Sequence, residues 1–196
     1  MKNTIIAGMA IAVALCSFCN NVKAQDSDQQ ARPGTKKILV AYFSQTGNTR
    51  AVADQIRNAT GGDIFEIQPV DPYTGDYQAL VDQARKEIDS NYRPALKTTV
   101  EDIGSYDVIF VGSPNWWSTI APPVAAFLTS YDLSGKTIAP FMTHGGGGLG
   151  HSVSDIKQLC PKSTVLEGLA INGSAAKTAQ AQDDVTKWLG DIKIIE

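Results

Sequence analysis

Apolar residues in this chain come in two alternating rhythms from residue 38 onward. Short, mainly apolar runs at Ile38–Phe43, Asp63–Ile67, Tyr106–Val111, Thr137–Met142 and Val165–Ile171 have the length and the β-branched and aromatic content of strands. Between them, apolar residues recur three and four apart, the spacing of one helical face. These stretches are Asn48–Asn58 (Val52, Ala53, Ile56), Asp76–Ser90 (Leu80, Ala84, Ile88), Pro122–Ser130, Gly150–Leu159 and Ala179–Leu189 (Val185, Trp188, Leu189). Gly61-Gly62 divides the first helix from the second strand, and Arg93-Pro94 closes the second helical region. Pro122 suits a first helical turn, where a missing N–H interrupts no helical bond.

Five strands separated by helices predict an α/β fold: a three-layer, doubly wound, five-stranded parallel sheet with right-handed crossovers. Strands that are apolar on both faces need a helical layer on each side. Ligands of such sheets lie beyond the carboxyl ends of the strands, near the point where strand order reverses. Here those ends are the loops at 44–49, 113–120 and 143–149.

The first 24 residues follow another pattern. Lys2 precedes an apolar core from Ile5 to Phe18, and Val22-Lys23-Ala24 offers small or aliphatic residues at a cleavage site, so residues 1–24 are expected to be a signal peptide. The core falls short of the about 20 apolar residues of a spanning helix, so no stable membrane insertion is expected after cleavage. The residues before Cys16 and Cys19 match a lipoprotein signal poorly and no twin arginine is present, which favours a periplasmic or secreted protein exported unfolded. Residues 25–36, polar with Pro33 and Gly34, read as a flexible linker, leaving 37–196 as the domain. Cleavage would leave Cys160 as the sole cysteine, which excludes an internal disulfide and a cysteine-rich metal site. It would also remove Lys2 and Lys23 and shift the formal charge from −3 to −5, which argues against nucleic acid as a partner.

Each of the three loops carries unusual chemistry. The first, Ser44-Gln45-Thr46-Gly47-Asn48-Thr49-Arg50, enters a helix at about Asn48, where backbone amides and the helix dipole favour an anion. It lacks the lysine of a Walker loop and the three glycines of a dinucleotide fingerprint. Ser44 and Arg50 stand at the spacing of the Cys-x5-Arg phosphatase loop, but serine replaces the cysteine and no base is at hand to activate it. A site that holds a terminal monophosphate fits; the alternative is a helix capped by Asn48 or Thr46.

The second loop places Trp116 beside Trp117 after a strand, and alternating side chains cannot both enter one core face. At least one ring should line the rim, where a flat ligand can stack. In the third loop, Gly145 to Gly148 leave backbone amides open to close approach, against the alternative of a surface hinge. His144 and His151 lack a carboxylate cluster, so no metal site is expected. His144 reads as a substrate-side or redox-tuning group, and His151 as a helix-start residue.

Together the loops describe one ligand with a monophosphate at one end and a flat, hydrogen-bonding ring at the other, and FMN fits best. On "SQTGNTRAVA", "GSPNWWSTIAPPVAAFL" and "GKTIAPFMTHGGGG" the chain resembles the flavodoxin-like family, in its short single-domain branch, over about residues 37–196. The resemblance implies strand order 2-1-3-4-5. It implies FMN phosphate on Ser44, Thr46, Gly47, Asn48 and Thr49. Pro114, Asn115, Trp116 and Trp117 would flank the ring, with Thr143, His144, Gly145, Gly146 and Gly147 along its pyrimidine edge. Electron carriers of the family resemble one another in acidic residues near the flavin. Here no acid lies between Thr137 and Ser154, which should raise the flavin's potential.

Three roles follow from this reading: an exported electron-transfer protein, an FMN-dependent quinone or NAD(P)H-type oxidoreductase, and a non-redox binding module. No residue stands out as an acid–base catalyst. NAD(P)H is expected to be scarce outside the cytoplasm, which points to a membrane quinol or a redox protein as partner. Tyr73, Tyr77 and Arg93 could shape the mouth of the site, with a structural role the alternative, and Cys160 reads as a small buried residue.

Overall fold

The computed structural model describes Met1 and residues 36–195. The expected signal peptide and all of the linker before Lys36 lie outside the described residues, apart from Met1. The elements, in chain order, are β1 (Ile38–Tyr42), α1 (Asn48–Thr60), β2 (Asp63–Glu66), α2 (Tyr77–Asp89), β3 (Val108–Trp116), β4 (Thr119–Ile120), α3 (Pro122–Thr129), β5 (Thr137–His144), α4 (Ser152–Leu159), β6 (Thr164–Val165), β7 (Leu169–Asn172) and α5 (Ala179–Asp191).

Strands β2, β1, β3 and β5 lie side by side and parallel, and β6 and β7 both pair with β5 along its far edge. Counting β6 and β7 as two pieces of one fifth strand gives the expected order 2-1-3-4-5. Alternation along each strand sorts the core into two clusters. Leu39, Ala41, Ile109, Val111, Ile138 and Met142 face the side of α3 and α4. Val40, Tyr42, Val108, Phe110, Ala139 and Phe141 face Val52 and Ile56 of α1 and Val185 and Leu189 of α5.

The fifth strand departs from the single run expected at Val165–Ile171. Ile138 accepts from the Leu166 N–H, so the residues of β5 that point toward this strand are Ile138, Pro140 and Met142. Pro140 has no N–H to donate, and pairing lapses opposite it, between Ile138↔Val165 and Phe141↔Leu169. The Glu167 carbonyl in the gap accepts instead from Trp188 Nε1 at 3.0 Å. A Cβ on the neighbouring Gly168 would lie 3.0 Å from the side chains of Leu149 and Val153, so this glycine lets them pack against the gap.

The third strand also exceeds expectation, running on to Trp116 and turning back as a hairpin. Asn115 pairs with Ile120 and Trp116 with Thr119, leaving Trp117 and Ser118 as a two-residue turn. Both have positive φ, 52° and 66°, as a type I′ turn requires. At its start, α2 is capped by Asp76, whose side chain accepts from Ala79 N–H at 2.8 Å. At its end, left-handed Asn91 reverses the chain, with Tyr92 N–H on the Glu87 carbonyl and Asn91 N–H on the Ile88 carbonyl.

Candidate functional site

The first loop delivers α1 with its amino end open. Gly47 is the N-cap in the left-handed conformation (φ 83°), and no side chain among the described residues caps the helix, so neither Asn48 nor Thr46 plays the cap role that the alternative reading required. The Ser44 hydroxyl accepts from the Gly47 N–H at 3.1 Å and so shapes the loop from within. Gln45 Nε2 donates to the Thr74 carbonyl and pins the loop to the segment before α2. Thr49 is buried, and its hydroxyl shares a 2.8 Å hydrogen bond with that of Thr143, fastening the first loop to the end of β5. Arg50 turns away to an ion pair with Glu66 at 2.5 Å, so the Ser-x5-Arg spacing builds no phosphatase-like loop.

The hairpin supplies the aromatic wall. The Trp116 ring packs edge-on against Phe43 and Tyr73, with centroids 5.6 and 5.0 Å away. Trp117 reaches α2, donating from Nε1 to the Val81 carbonyl at 3.2 Å beneath the Arg85 guanidinium. Tyr73 hydrogen-bonds Glu87 at 2.5 Å, and burial together with that carboxylate raises its phenol well above the ordinary range. The glycine loop is tied back by Asn115 Nδ2 on the Gly148 carbonyl (2.7 Å) and by His151 N–H on the Ser118 carbonyl (2.8 Å). A Cβ on Gly150 (φ 54°) would lie 2.2 Å from that Ser118 oxygen, so only glycine fits. By contrast, Gly145 and Gly146 face open space. The Gly146 N–H donates to His144 Nδ1 at 3.0 Å, which makes that nitrogen the unprotonated acceptor.

These elements enclose a cleft of about 740 Å³ at the carboxyl ends of β1, β3, β5 and β7. Thr46, Asn48, Pro114, Asn115, Trp116, Trp117, Thr143, His144 and Gly145 line it, so all three expected loops converge there. Ser44, Gly47, Thr49, Gly146 and Gly147 are not among the lining residues, and the first four make hydrogen bonds that shape the loops. Two contributions escaped the sequence reading as parts of this site. Tyr77, Leu80, Val81 and Ala84 of α2 form one wall, of which the sequence points only to Tyr77. Asn172, Gly173 and Ser174, at the carboxyl end of β7, form another, and the same strand-end rule would have found them. A Cβ on Gly173 would lie 2.8 Å from Asn48 Nδ2, so this glycine makes room for the asparagine. Arg93 lies elsewhere, in a separate cavity. Among the described residues, no lysine, arginine, aspartate or glutamate lines the cleft, and no group of three metal-ligating side chains occurs.

Comparison with known proteins agrees with this geometry. Residues 37–192 match the flavodoxin family. The crystal structure of a candidate flavoprotein from Bacteroides eggerthii is 35% identical, with a TM-score of 0.72 over 82% of this chain and 99% of that one. A flavoprotein from Lactobacillus acidophilus, crystallised in complex with FMN, is 26% identical, with a TM-score of 0.63 over 71% of this chain and 95% of that one. An NAD(P)H dehydrogenase (quinone) of Cupriavidus metallidurans is 32% identical over 97 residues, 47% of this chain. The match spans 45% of that relative, less than half its length.

Proposed function

We propose that this chain, which belongs to the flavodoxin family, binds FMN in the cleft and passes electrons through it. The observation that carries this reading is the uncapped amino end of α1, left open by Gly47 beside a cleft walled by Trp116 and Trp117. The cleft volume lies within the about 300–1,000 Å³ usual for small-molecule and cofactor sites. Its uncharged lining suits a ligand whose single anionic group sits on helix amides rather than on a lysine or arginine. The Lactobacillus acidophilus structure, a complex with FMN on the same fold, supports the choice of flavin.

In this reading the amides at the start of α1 and the Thr46 hydroxyl take the phosphate. The Thr49–Thr143 pair holds that loop against β5. Pro114 through Trp117 screen the ring from water on one side, and Thr143 through Gly145 meet its hydrogen-bonding edge. Bound FMN supplies the redox chemistry, taking up and returning electrons. The mouth stays open beside Tyr77 (78% exposed) and Trp117 (46% exposed), where a partner can approach.

A second reading, an FMN-dependent reductase of quinones, draws on the partial match to the Cupriavidus metallidurans protein and on that open mouth. We favour electron transfer because the amino-terminal sequence suits export, and outside the cytoplasm a quinol or a redox protein is a more accessible partner than NAD(P)H. Spectroelectrochemical titration of the FMN-loaded protein, combined with NADPH oxidation in the presence of benzoquinone, separates the roles. The carrier reading expects reversible reduction at a potential at or above that of free FMN and no NADPH turnover beyond that of free FMN. Rapid NADPH-dependent quinone reduction would transfer the assignment to the reductase. A potential far below free FMN would contradict the part played by the uncharged lining.

A further inference from the structure

Strand β4 lines a second cavity, of about 220 Å³, which among the described residues shares no lining residue with the cleft. Ile88, Ile120, Ala125 and Leu159 give it an apolar wall between the end of α2 and the helices α3 and α4. Six polar residues, Asn91, Arg93, Thr119, His151, Asp155 and Gln158, share the lining, and Arg93 and His151 are two of them with hydrogen-bonding capacity to spare. The reversal at Asn91 folds the chain back and brings Arg93 onto the cavity. The Arg93 guanidinium donates to the Tyr92 carbonyl at 3.1 Å, and among the described residues no carboxylate lies within 4.0 Å of it. A guanidinium keeps its charge and has five N–H donors, so most of its hydrogen-bonding capacity is uncommitted.

His151 is the second group. Its Nδ1 lies 2.6 Å from Asp155 Oδ2, and the same oxygen accepts from the Thr119 hydroxyl. The carboxylate, not the imidazole, is therefore the middle member of this trio, and Thr119 has no base to activate it as a nucleophile. The trio instead satisfies Asp155 and fixes the imidazole, leaving Nε2 without a partner among the described residues.

We propose that this cavity binds a small aromatic carboxylate, its ring against Ile88, Ile120 and Leu159 and its carboxylate on Arg93. Size and chemistry both lead to this class. A dry cavity of about 150 Å³ accepts benzene, so this one has room for a ring plus a carboxylate. An uncommitted guanidinium selects a planar, bidentate anion, and the apolar wall disfavours a fully hydrated one such as free phosphate.

The test is a titration of the full chain with sodium benzoate, followed by methyl NMR at Ile88, Ile120 and Leu159. Saturable shifts at these methyls are expected, with at least tenfold weaker binding in Arg93→Met. Benzyl alcohol, of like size but uncharged, should bind the unaltered protein at least tenfold more weakly than benzoate. That comparison keeps the proposal testable should the variant fold poorly. Absence of saturable shifts, unchanged affinity in Arg93→Met, equal binding of benzyl alcohol, or equal binding of inorganic phosphate would each overturn it.

Discussion

Thr49 and Thr143 lie 94 positions apart and share one buried hydrogen bond. Changing Thr49 alone to valine deprives the Thr143 hydroxyl of this buried partner, at a cost of about 1–3 kcal/mol. Replacing both with valine removes donor and acceptor together and should be nearly neutral. Urea denaturation of the two single variants and the double variant measures this coupling, and additive losses would show that the bond contributes little. The pair also marks a limit of sequence reading. The loop offers hydroxyls at Ser44, Thr46 and Thr49, and all three read equally well as phosphate donors. The fold sends Thr46 to the cleft, Ser44 back to its own loop and Thr49 into the core, because the left-handed Gly47 and the helix that follows set each direction. Arg50, one turn into that helix, is claimed by Glu66 on β2, a long-range partner that local spacing does not reveal.

Among the elements, the hairpin at Trp117 and Ser118 departs most from its sequence pattern. Its turn type usually calls for asparagine, aspartate or glycine, so nothing local announces it. Two non-glycine residues in left-handed backbone are held by contacts from outside: Val81 and Arg85 on Trp117, and the His151 N–H on the Ser118 carbonyl. Gly150 makes the last of these possible. Gly150→Ala would combine positive φ with a contact of 2.2 Å to backbone, so a loss of about 1–3 kcal/mol is expected, together with a changed Trp117 environment. Denaturation monitored by tryptophan fluorescence tests both effects, and wild-type stability in this variant would show the close approach to be dispensable. The broken fifth strand is a different case, since Pro140 was visible in the sequence and its missing N–H indicates where pairing must lapse. The stripe Leu80, Ala84 and Ile88 on α2 was legible as one face but not as to its use. Leu80 and Ala84 line the cleft while Ile88 lines the second cavity.

For the whole molecule, alternating strand and helix rhythms were enough to give the parallel sheet and its two covering layers, because strands apolar on both faces need cover on both sides, while the strand order followed from the family resemblance. Titration of one buried and one partly buried group bears on stability at this scale. Burial pushes the Cys160 thiol up to about 11 from an ordinary 9.0. Burial, followed by a hydrogen bond to Asp63, pushes the Tyr106 phenol up to about 12 from 10.0. Between each pair of values the folded protein holds a proton that the unfolded chain has released, so stability falls as pH rises. Denaturation midpoints should therefore decline from pH 9 to pH 11, and less steeply in Cys160→Ala. A flat profile would contradict the burial of these groups.

The central claim, that the open end of α1 and the aromatic cleft hold a phosphorylated flavin, is tested most directly by comparing FMN with riboflavin. The two ligands share the ring and differ at the terminal phosphate. Fluorescence titration of the purified protein should give tight FMN quenching and affinity for riboflavin weaker by about 100-fold, the scale of a few charge-assisted hydrogen bonds at a helix terminus. Equal affinities would contradict phosphate recognition by α1, and binding of neither would contradict the assignment of the cleft to a flavin.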